Sequence, residues 1–200
     1  YEGKITKLRE KTQGQLVIKE YPTASAHSGH FKSLMNELAL KKSFRPDVIF
    51  IDYLNICASS RFKGGNISSY FYVKAIAEEL RGLAVEFNVP IFSATQTTRT
   101  GYVSTDIGLE DTSESFGLPA TADFMFALIS NEELEALGQM KVKQLKNRYN
   151  DPSINRAFII GVDRAKMRLY DVQQKAGEIV DANQVDEKED AYNKFSDFKL

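Results

Sequence analysis

Residues 47–54 form a nearly continuous apolar run, DVIFIDYL, with an acid close to its end. A run that does not alternate with polar residues predicts a strand covered on both faces, as in a parallel sheet. Residues 72–87 follow with apolar side chains at helical spacing, and residues 90–94 begin a second apolar strand. Strand, helix and strand in this order predict an α/β fold with a mainly parallel sheet.

The rest of the chain adds further helices and strands. Ser28–Lys42 has apolar residues at helical spacing, with Ser28 as a reasonable N-cap. Residues 131–137 indicate a short helix capped by Asn131, and residues 1–12 are compatible with a helix. The other predicted strands are residues 15–21, 123–130 and 140–146, and residues 157–162 and 167–172 as a terminal hairpin.

The composition excludes several classes of protein. The 200 residues suggest one domain, or two at most. The 26 basic and 27 acidic side chains give a net charge of -1, which excludes a histone-like protein and leaves room for a local basic face that binds nucleic acid. The single cysteine excludes a disulfide framework and a thiolate zinc site, and it favours a reduced intracellular setting. No apolar run reaches the roughly 18 residues of a membrane-spanning helix.

The chain is predicted to divide into a body, residues 1–177, and an acidic tail, residues 178–200. The tail holds seven acids and three lysines, a charge of -4, so the body carries +3. An acidic segment with few branched apolar residues predicts disorder. Because the first residue is Tyr1 rather than Met, we expect the chain to be a fragment or a processed piece.

Asp52 is the first candidate for chemistry. It follows four apolar residues and lies where the predicted strand ends. In open α/β sheets, ligands bind beyond the carboxyl ends of the strands. An acid at this place can hold Mg²⁺ through its water shell, as the Walker B acid of P-loop ATPases does. The alternative is a strand-end acid that caps a neighbouring loop.

Three further residues have types that suit a phosphate. Gln96 follows the strand of residues 90–94, and a neutral amide there can bond a γ-phosphate or orient a water molecule. Lys146 and Arg148 lie two residues apart at a predicted strand end, so their side chains point to one face. Such a pair suits a phosphate, with arginine offering a bidentate fork. The alternatives are an ordinary loop glutamine and a solvated basic edge.

Basic residues also occupy the loops that follow both strands. Arg61 and Lys63 follow the Asp52 strand, and Arg99 lies among threonines after Gln96. Both loops can contact a nucleic-acid backbone through charge and exposed amides.

Other motifs give weaker indications of function. His27 and His30 resemble half of a metal site, but no second ligand cluster accompanies them, so a solvated loop is the favoured interpretation. Cys57 has no histidine partner in a recognisable frame and is interpreted as buried packing. No G-x-x-x-x-G-K-[S/T] phosphate loop occurs in the chain, so a Walker B role for Asp52 requires that loop to lie upstream of Tyr1.

Five segments occur in an order and spacing that resemble a known family: IDYLNIC, VKAIAEELRGLAVEFNVPI, FSATQTTR, ESFGLPATADFMFAL and KQLKNRYND. Together they resemble the RecA-like motor domain of replicative hexameric helicases, the DnaB-like superfamily, and most strongly its T-even-type bacteriophage members. The resemblance covers about residues 1–172. Five motifs in the right order are far more specific than any one of them.

The resemblance implies an ATP site shared between subunits of a homo-hexamer. Asp52 matches the Walker B acid that supports the magnesium of Mg-ATP, and Gln96 matches the amide that senses the γ-phosphate. Lys146 and Arg148 match the pair that reaches the ATP of the neighbouring subunit, with Arg148 as the arginine finger. The phosphate loop and the glutamate that activates water lie earlier in the family's motor domain. The cofactors implied are ATP and Mg²⁺.

The resemblance also implies partners. Residues 111–117 match the central-channel loop that grips single-stranded DNA, which makes Ser113, Glu114 and Gly117 candidates for DNA contact. Ser113 stands where cellular members have an arginine, so backbone amides or Arg99 would replace that cation. The acidic tail suits a primase, a helicase loader or a polymerase. We expect no membrane partner and a place in the cytoplasm of a phage-infected bacterium.

The resemblance therefore implies the C-terminal part of an ATP-dependent replicative DNA helicase that translocates on single-stranded DNA. Cut away from its phosphate loop, the piece alone is expected to be inactive. Two alternatives remain open. The first is a RecA-type recombinase or repair ATPase, although such a filament-forming protein lacks the Lys146 and Arg148 pair at this place. The second is a non-catalytic platform for replisome assembly.

Overall fold

The structure is a computed structural model that describes residues 2–11, 14–62, 67–97, 107–109, 117–151 and 154–172. The helices are α1 (Glu2–Lys11), α2 (Ser28–Lys42), α3 (Ser69–Phe87), α4 (Gly117–Thr121) and α5 (Glu132–Ala136). The strands are β1 (Ile49–Ile51), β2 (Ile91–Ser93), β3 (Phe124–Ile129), β4 (Gln139–Asn147), β5 (Ala157–Asp163) and β6 (Arg168–Asp171). Short 3-10 turns cover Leu54–Ile56 and Arg164–Lys166.

Strands β1 and β2 are parallel neighbours, and α3 forms the crossover between them. Helix α3 buries one stripe because its apolar residues recur every three or four positions, and Ile76 at the centre is 1% exposed. The helix ends at Phe87 and is capped by Asn88, which has a left-handed conformation and donates its N–H to the carbonyls of Ala84 and Val85. The predicted strand–helix–strand unit and the α/β class are confirmed.

Only one face of this parallel pair is covered within the described residues. Ile49 and Ile91 pack against a cluster of the buried residues Met35, Leu83 and Val89. Phe50 and Phe92 lie on the opposite face, stacked with ring centroids 5.4 Å apart, and Phe50 is 73% exposed. The expectation that this strand is covered on both faces is therefore wrong for the described residues. An apolar run shows that a strand can be buried, but it does not show that another segment packs on its second face.

The other four strands form an antiparallel sheet in the order β3-β4-β5-β6. Parallel pairing is thus limited, in the described part of the chain, to β1 and β2. The predicted strands at residues 123–130 and 140–146 and the terminal hairpin are confirmed. Strand β3 alternates in burial, with Ala127 and Ile129 in a small core that includes Ile107, whereas Phe124, Phe126 and Leu128 are exposed.

Two predictions near the N-terminus are wrong. Residues 15–21 form no strand, and Leu16 and Ile18 are largely exposed, since no described segment pairs with them. The N-cap of α2 is His27 rather than Ser28: the His27 Nδ1 atom accepts from the Gly29 N–H at 3.0 Å.

The two histidines are thus explained by helix capping rather than by a solvated loop. The backbone N–H of His27 donates to Nδ1 of His30 at 3.3 Å, which completes a reciprocal cap at the start of α2. Among the described residues, no group of three His, Cys, Asp or Glu side chains could hold a metal ion. The predicted Asn131 cap is confirmed, with its Oδ1 accepting from the Leu134 N–H at 2.8 Å.

Candidate functional site

The chain segments that leave β1 and β2 run side by side at the carboxyl edge of the pair. The Ser93 hydroxyl donates to the Ile51 carbonyl at 2.8 Å, and the Leu54 N–H donates to the Ala94 carbonyl at 3.1 Å. These bonds continue the contact of the two strands past their ends. The residues that follow each strand are therefore neighbours in space.

Asp52 and Gln96 both lie at this edge. Asp52 directly follows β1, is exposed, and is joined to Tyr53 by a cis peptide bond. The Gln96 Nε2 group donates to the Tyr53 hydroxyl at 3.3 Å. The structure thus places the amide of Gln96 against Tyr53, the residue that follows Asp52, at the edge of the pair where open α/β sheets bind ligands.

Lys146 and Arg148 lie together at a second position, against the last residues of α4. The Lys146 ammonium donates to the Pro119 carbonyl at 2.5 Å, and the Arg148 guanidinium donates through Nη2 to the Ala120 carbonyl at 3.4 Å. The last carbonyls of a helix lack partners within the helix, and cations there are favoured. The predicted shared face of the two cations is confirmed, and both contact their own chain.

Arg81 and Asp123 complete this second group, and sequence reasoning missed both. Arg81, on α3, donates through Nη1 to the Thr121 carbonyl at 2.6 Å and to Asp123 Oδ1 at 2.8 Å. Arg148 Nη1 reaches the same Asp123 oxygen at 2.8 Å. The available signals were weak: a charged residue along an amphipathic helix, and an acid just before an apolar strand.

Three cations and one carboxylate form this group, which we call the arginine joint: Arg81, Asp123, Lys146 and Arg148, with the carbonyls of residues 119–121. The two arginines contact the Asp123 carboxylate, and Lys146 contacts the Pro119 carbonyl. Burial lowers the pKa of Lys146, and the nearby Arg148 lowers it further, while Asp123 acts in the opposite direction. The excess of positive charge makes the joint suited to an additional anion.

A carboxylate also fixes the start of the loop that follows Asp52. Glu79 accepts from the hydroxyls of Ser28, Ser59 and Ser60 at 2.8, 2.6 and 2.7 Å, and from the Ser60 N–H. Burial alone would raise the pKa of Glu79, but these hydrogen bonds outweigh it and lower the pKa to about 2. Sequence reasoning missed this residue, because three serines distant in sequence form its site.

The loop residues predicted to contact nucleic acid are described only in part. Arg61 is half-exposed and pairs with Glu78, with Nη1 and Oε2 2.6 Å apart. Gly117 is buried at the start of α4, where a Cβ atom would meet the Lys74 side chain at 3.2 Å. The other predicted DNA contacts, and the acidic tail, lie outside the described residues: Lys63, Arg99, Ser113, Glu114 and residues 178–200.

Cys57 is buried in the core cluster centred on Ile76, and burial raises the pKa of its thiol. Its interpretation as packing is confirmed. Within the described residues, no helix has the length and apolar character needed to cross a bilayer.

Sequence comparison identifies a relative across nearly the whole chain. The DnaB-like replicative helicase of enterobacteria phage T4 is 42% identical over 200 residues, which cover 97% of this chain. The chain belongs to the DnaB-like replicative helicase family. It spans 42% of that relative's own length, and no family model matches it.

Solved structures place this DnaB-like chain in the RecA-like helicase fold. One solved ATPase domain superposes with a TM-score of 0.61 at 18% identity, covering 74% of this chain and 52% of that one. A DnaB-like replicative helicase, solved for its interactions with primase, gives the same TM-score at 17% identity, covering 74% of this chain and 35% of that one. At these identities the likeness concerns the fold.

Proposed function

We propose that the chain is the C-terminal part of the motor of an ATP-dependent replicative DNA helicase, with a partial motor domain over residues 1–177 and an acidic tail over residues 178–200. The observation that carries the proposal is the position of Asp52 and Gln96 after the neighbouring parallel strands β1 and β2, with Gln96 bonded to Tyr53, the residue that follows Asp52. Membership of the DnaB-like family supports it. In the whole protein, ATP hydrolysis would drive translocation on single-stranded DNA and unwinding at the replication fork.

The strand edge has the chemistry to hold Mg-ATP. An exposed carboxylate at a strand end is an oxygen ligand of the kind that Mg²⁺ prefers, directly or through water. Asp52 would hold the ion, and Gln96 would contact the γ-phosphate without adding charge. When bound, Mg²⁺ would neutralise charge on the phosphates. The hydrogen bond from Gln96 to Tyr53 would then link the phosphate contact to the Asp52 segment.

Lys146 and Arg148 would act on the nucleotide of the adjacent subunit in a homo-hexamer. An arginine supplied across an interface stabilises the charge of phosphoryl transfer and contributes on the order of 10³–10⁵ in rate. The half-exposed guanidinium of Arg148 and the excess positive charge of the joint support this role. Loss of the γ-phosphate would remove a link between subunits, and successive subunits would then pass the DNA strand along.

Single-stranded DNA would bind through the two loops and the segment before α4. Arg61 and Lys63 would contact phosphates from one loop, and Arg99 from the other. Residues 111–117, with Ser113, Glu114 and Gly117, would line the channel. One structural neighbour was solved for its interactions with primase. A primase, a loader or a polymerase is the partner we propose for the acidic tail, in the cytoplasm of a phage-infected bacterium.

The 200 residues by themselves are proposed to be inactive in ATP hydrolysis. They contain no G-x-x-x-x-G-K-[S/T] motif, the element that cradles the phosphates in P-loop enzymes. The test of function therefore uses the longer protein, in which the chain is preceded by its phosphate-loop segment.

The experiment compares DNA-stimulated ATP hydrolysis by that longer protein with hydrolysis by its Arg148→Ala and Asp52→Ala variants, singly and mixed. We expect each variant alone to be inactive and the mixture to regain activity, since a mixed ring contains interfaces with an intact acid on one side and an intact arginine on the other. Normal hydrolysis by Arg148→Ala would contradict the proposal and favour the recombinase or the assembly platform.

A further inference from the structure

Asp123 holds Arg148 twice. Its backbone carbonyl accepts from the Arg148 N–H at 2.9 Å, and its carboxylate Oδ1 lies 2.8 Å from Arg148 Nη1. The first bond fixes where the main chain leaves β4, and the second fixes the far end of the side chain. One residue thus contacts both the main chain of Arg148 and the far end of its long side chain.

The turn after β4 is closed by a second residue. Asn147 Oδ1 accepts from the N–H groups of Tyr149 and Asn150 at 3.1 and 3.2 Å. The backbone on both sides of Arg148 is therefore held, and the guanidinium is the part whose position depends on the carboxylate. Charge-assisted bonds of this kind are about twice as strong as neutral ones.

The contacts of the Arg148 side chain leave most of its donors for another ligand. A guanidinium carries five N–H donors in a planar fork. Within the described residues, its partners are Asp123 and the Ala120 carbonyl, and the side chain is 42% exposed. Arg81 draws on the same Asp123 oxygen, so the carboxylate is shared and does not neutralise Arg148 alone.

We propose that Asp123 is a positioning residue for Arg148, which it holds so that the remaining donors face a phosphate bound by the adjacent subunit. This inference rests on the proposed function, in which Arg148 acts across the subunit interface. In this role Asp123 does not contact the nucleotide itself. Its effect passes through the guanidinium, and it is therefore expected to appear in turnover rather than in nucleotide affinity.

The test uses the longer protein with its phosphate-loop segment and measures DNA-stimulated ATP hydrolysis. A small displacement of a catalytic group costs on the order of 10²-fold, so we expect Asp123→Ala to lower kcat by about 10- to 100-fold. The KM for ATP should change by less than about twofold, as for an interaction realised in the transition state. Asp123→Asn keeps one oxygen acceptor, so its kcat should lie between that of Asp123→Ala and that of the unmodified protein.

Three controls separate positioning from a general structural effect. Mixing Asp123→Ala with Asp52→Ala should restore activity, because the second variant supplies a correctly held arginine to the intact nucleotide site of the first. The double variant Asp123→Ala, Arg148→Ala should be no slower than Arg148→Ala alone. Glu86→Ala, which breaks the exposed pair with Lys32 near the C-terminal end of α3, should hydrolyse ATP at the unmodified rate.

Normal turnover by Asp123→Ala, with Arg148→Ala inactive, would overturn the positioning role and leave the proposed function standing. Normal turnover by Arg148→Ala would overturn the proposed function itself. If Asp123→Ala is slow but mixing with Asp52→Ala restores nothing, the residue has a structural role and the inference is wrong.

Discussion

The side-chain amide of Gln96 donates to the hydroxyl of Tyr53 across the carboxyl edge of the β1 and β2 pair, at 3.3 Å. This bond joins the segments that follow two neighbouring strands. One residue of the bond is adjacent to Asp52 in sequence. If Gln96 contacts a phosphate as proposed, this bond gives that contact a direct route to the acid proposed to hold Mg²⁺.

Replacing Tyr53 by Phe in the longer protein removes that route without removing the ring. A single hydrogen bond contributes about 0.5–1.5 kcal/mol, so we expect kcat for DNA-stimulated ATP hydrolysis to fall by roughly 2- to 10-fold. Tyr72→Phe is the matched control, because the Tyr72 hydroxyl accepts from the Ser59 N–H, away from the strand edge. Equal kinetic effects of the two changes would argue against a special role for Tyr53.

The Glu79 carboxylate predicts a loss of stability in acid. Its pKa in the folded chain, about 2, lies below its ordinary value of 4.5, so folding favours the ionised form. The resulting stabilisation is present in full above pH 4.5 and is lost as the pH falls from there towards 2. Chemical denaturation of this chain across that range should show the loss.

Glu79→Gln should flatten this pH dependence and destabilise the chain at pH 7 by about 1–2 kcal/mol, since an amide is a weaker acceptor for the serine donors. Glu86→Gln is the control, because Glu86 forms a half-exposed pair with Lys32 and should change stability by less than about 0.5 kcal/mol. If Glu79→Gln loses stability at low pH as much as the unmodified chain does, other groups cause that loss.

The core of α3 predicts a large and localised effect of truncation. Ile76 is 1% exposed, and Ile76→Ala should lower the free energy of unfolding by about 2–5 kcal/mol. Val85 lies on the same helix at 74% exposure, and Val85→Ala should shift it by less than about 0.5 kcal/mol. Urea denaturation of both variants measures the difference. Similar losses in the two would mean that the helix packs through another face.

The exposed face of the parallel pair predicts self-association of this chain in isolation. Phe50 and Phe92 form a stacked apolar surface on the short strands β1 and β2, whose outer edges are open within the described residues. Sedimentation should show concentration-dependent association that Phe50→Ser with Phe92→Ser reduces. Phe71→Ser, a change of another exposed phenylalanine on α3, should leave it unaltered. Association that survives the double change would place the contact elsewhere.

The parts of the fold that were predicted correctly depend on patterns among residues close in sequence. The periodicity of α2 and α3, the Asn131 cap and the hairpin of β5 and β6 each depend on residues close in sequence, and all are confirmed. The strand expected at residues 15–21 failed because a strand needs a partner, which no local pattern provides. The prediction that the Phe50 face is buried failed for the same reason, since a second covering layer would have to come from residues distant in sequence.

The candidate site shows the same division. Asp52, Gln96, Lys146 and Arg148 could be named because each belongs to a motif or ends a strand. Their neighbours Arg81 and Asp123 could not, because α3 and the start of β3 meet only in the folded chain. Residue type identified the groups that would contact the nucleotide, whereas the groups that position them could be identified only from the folded structure.

The three carbonyls at the end of α4 each accept from a different cation, and all three acceptors are main-chain atoms. The side chains of residues 119–121 do not make these bonds, so substitutions at these positions should be tolerated as long as the backbone of α4 keeps its position. Positions 81, 123, 146 and 148 have no such freedom. Among related sequences, these four should change together, or not at all.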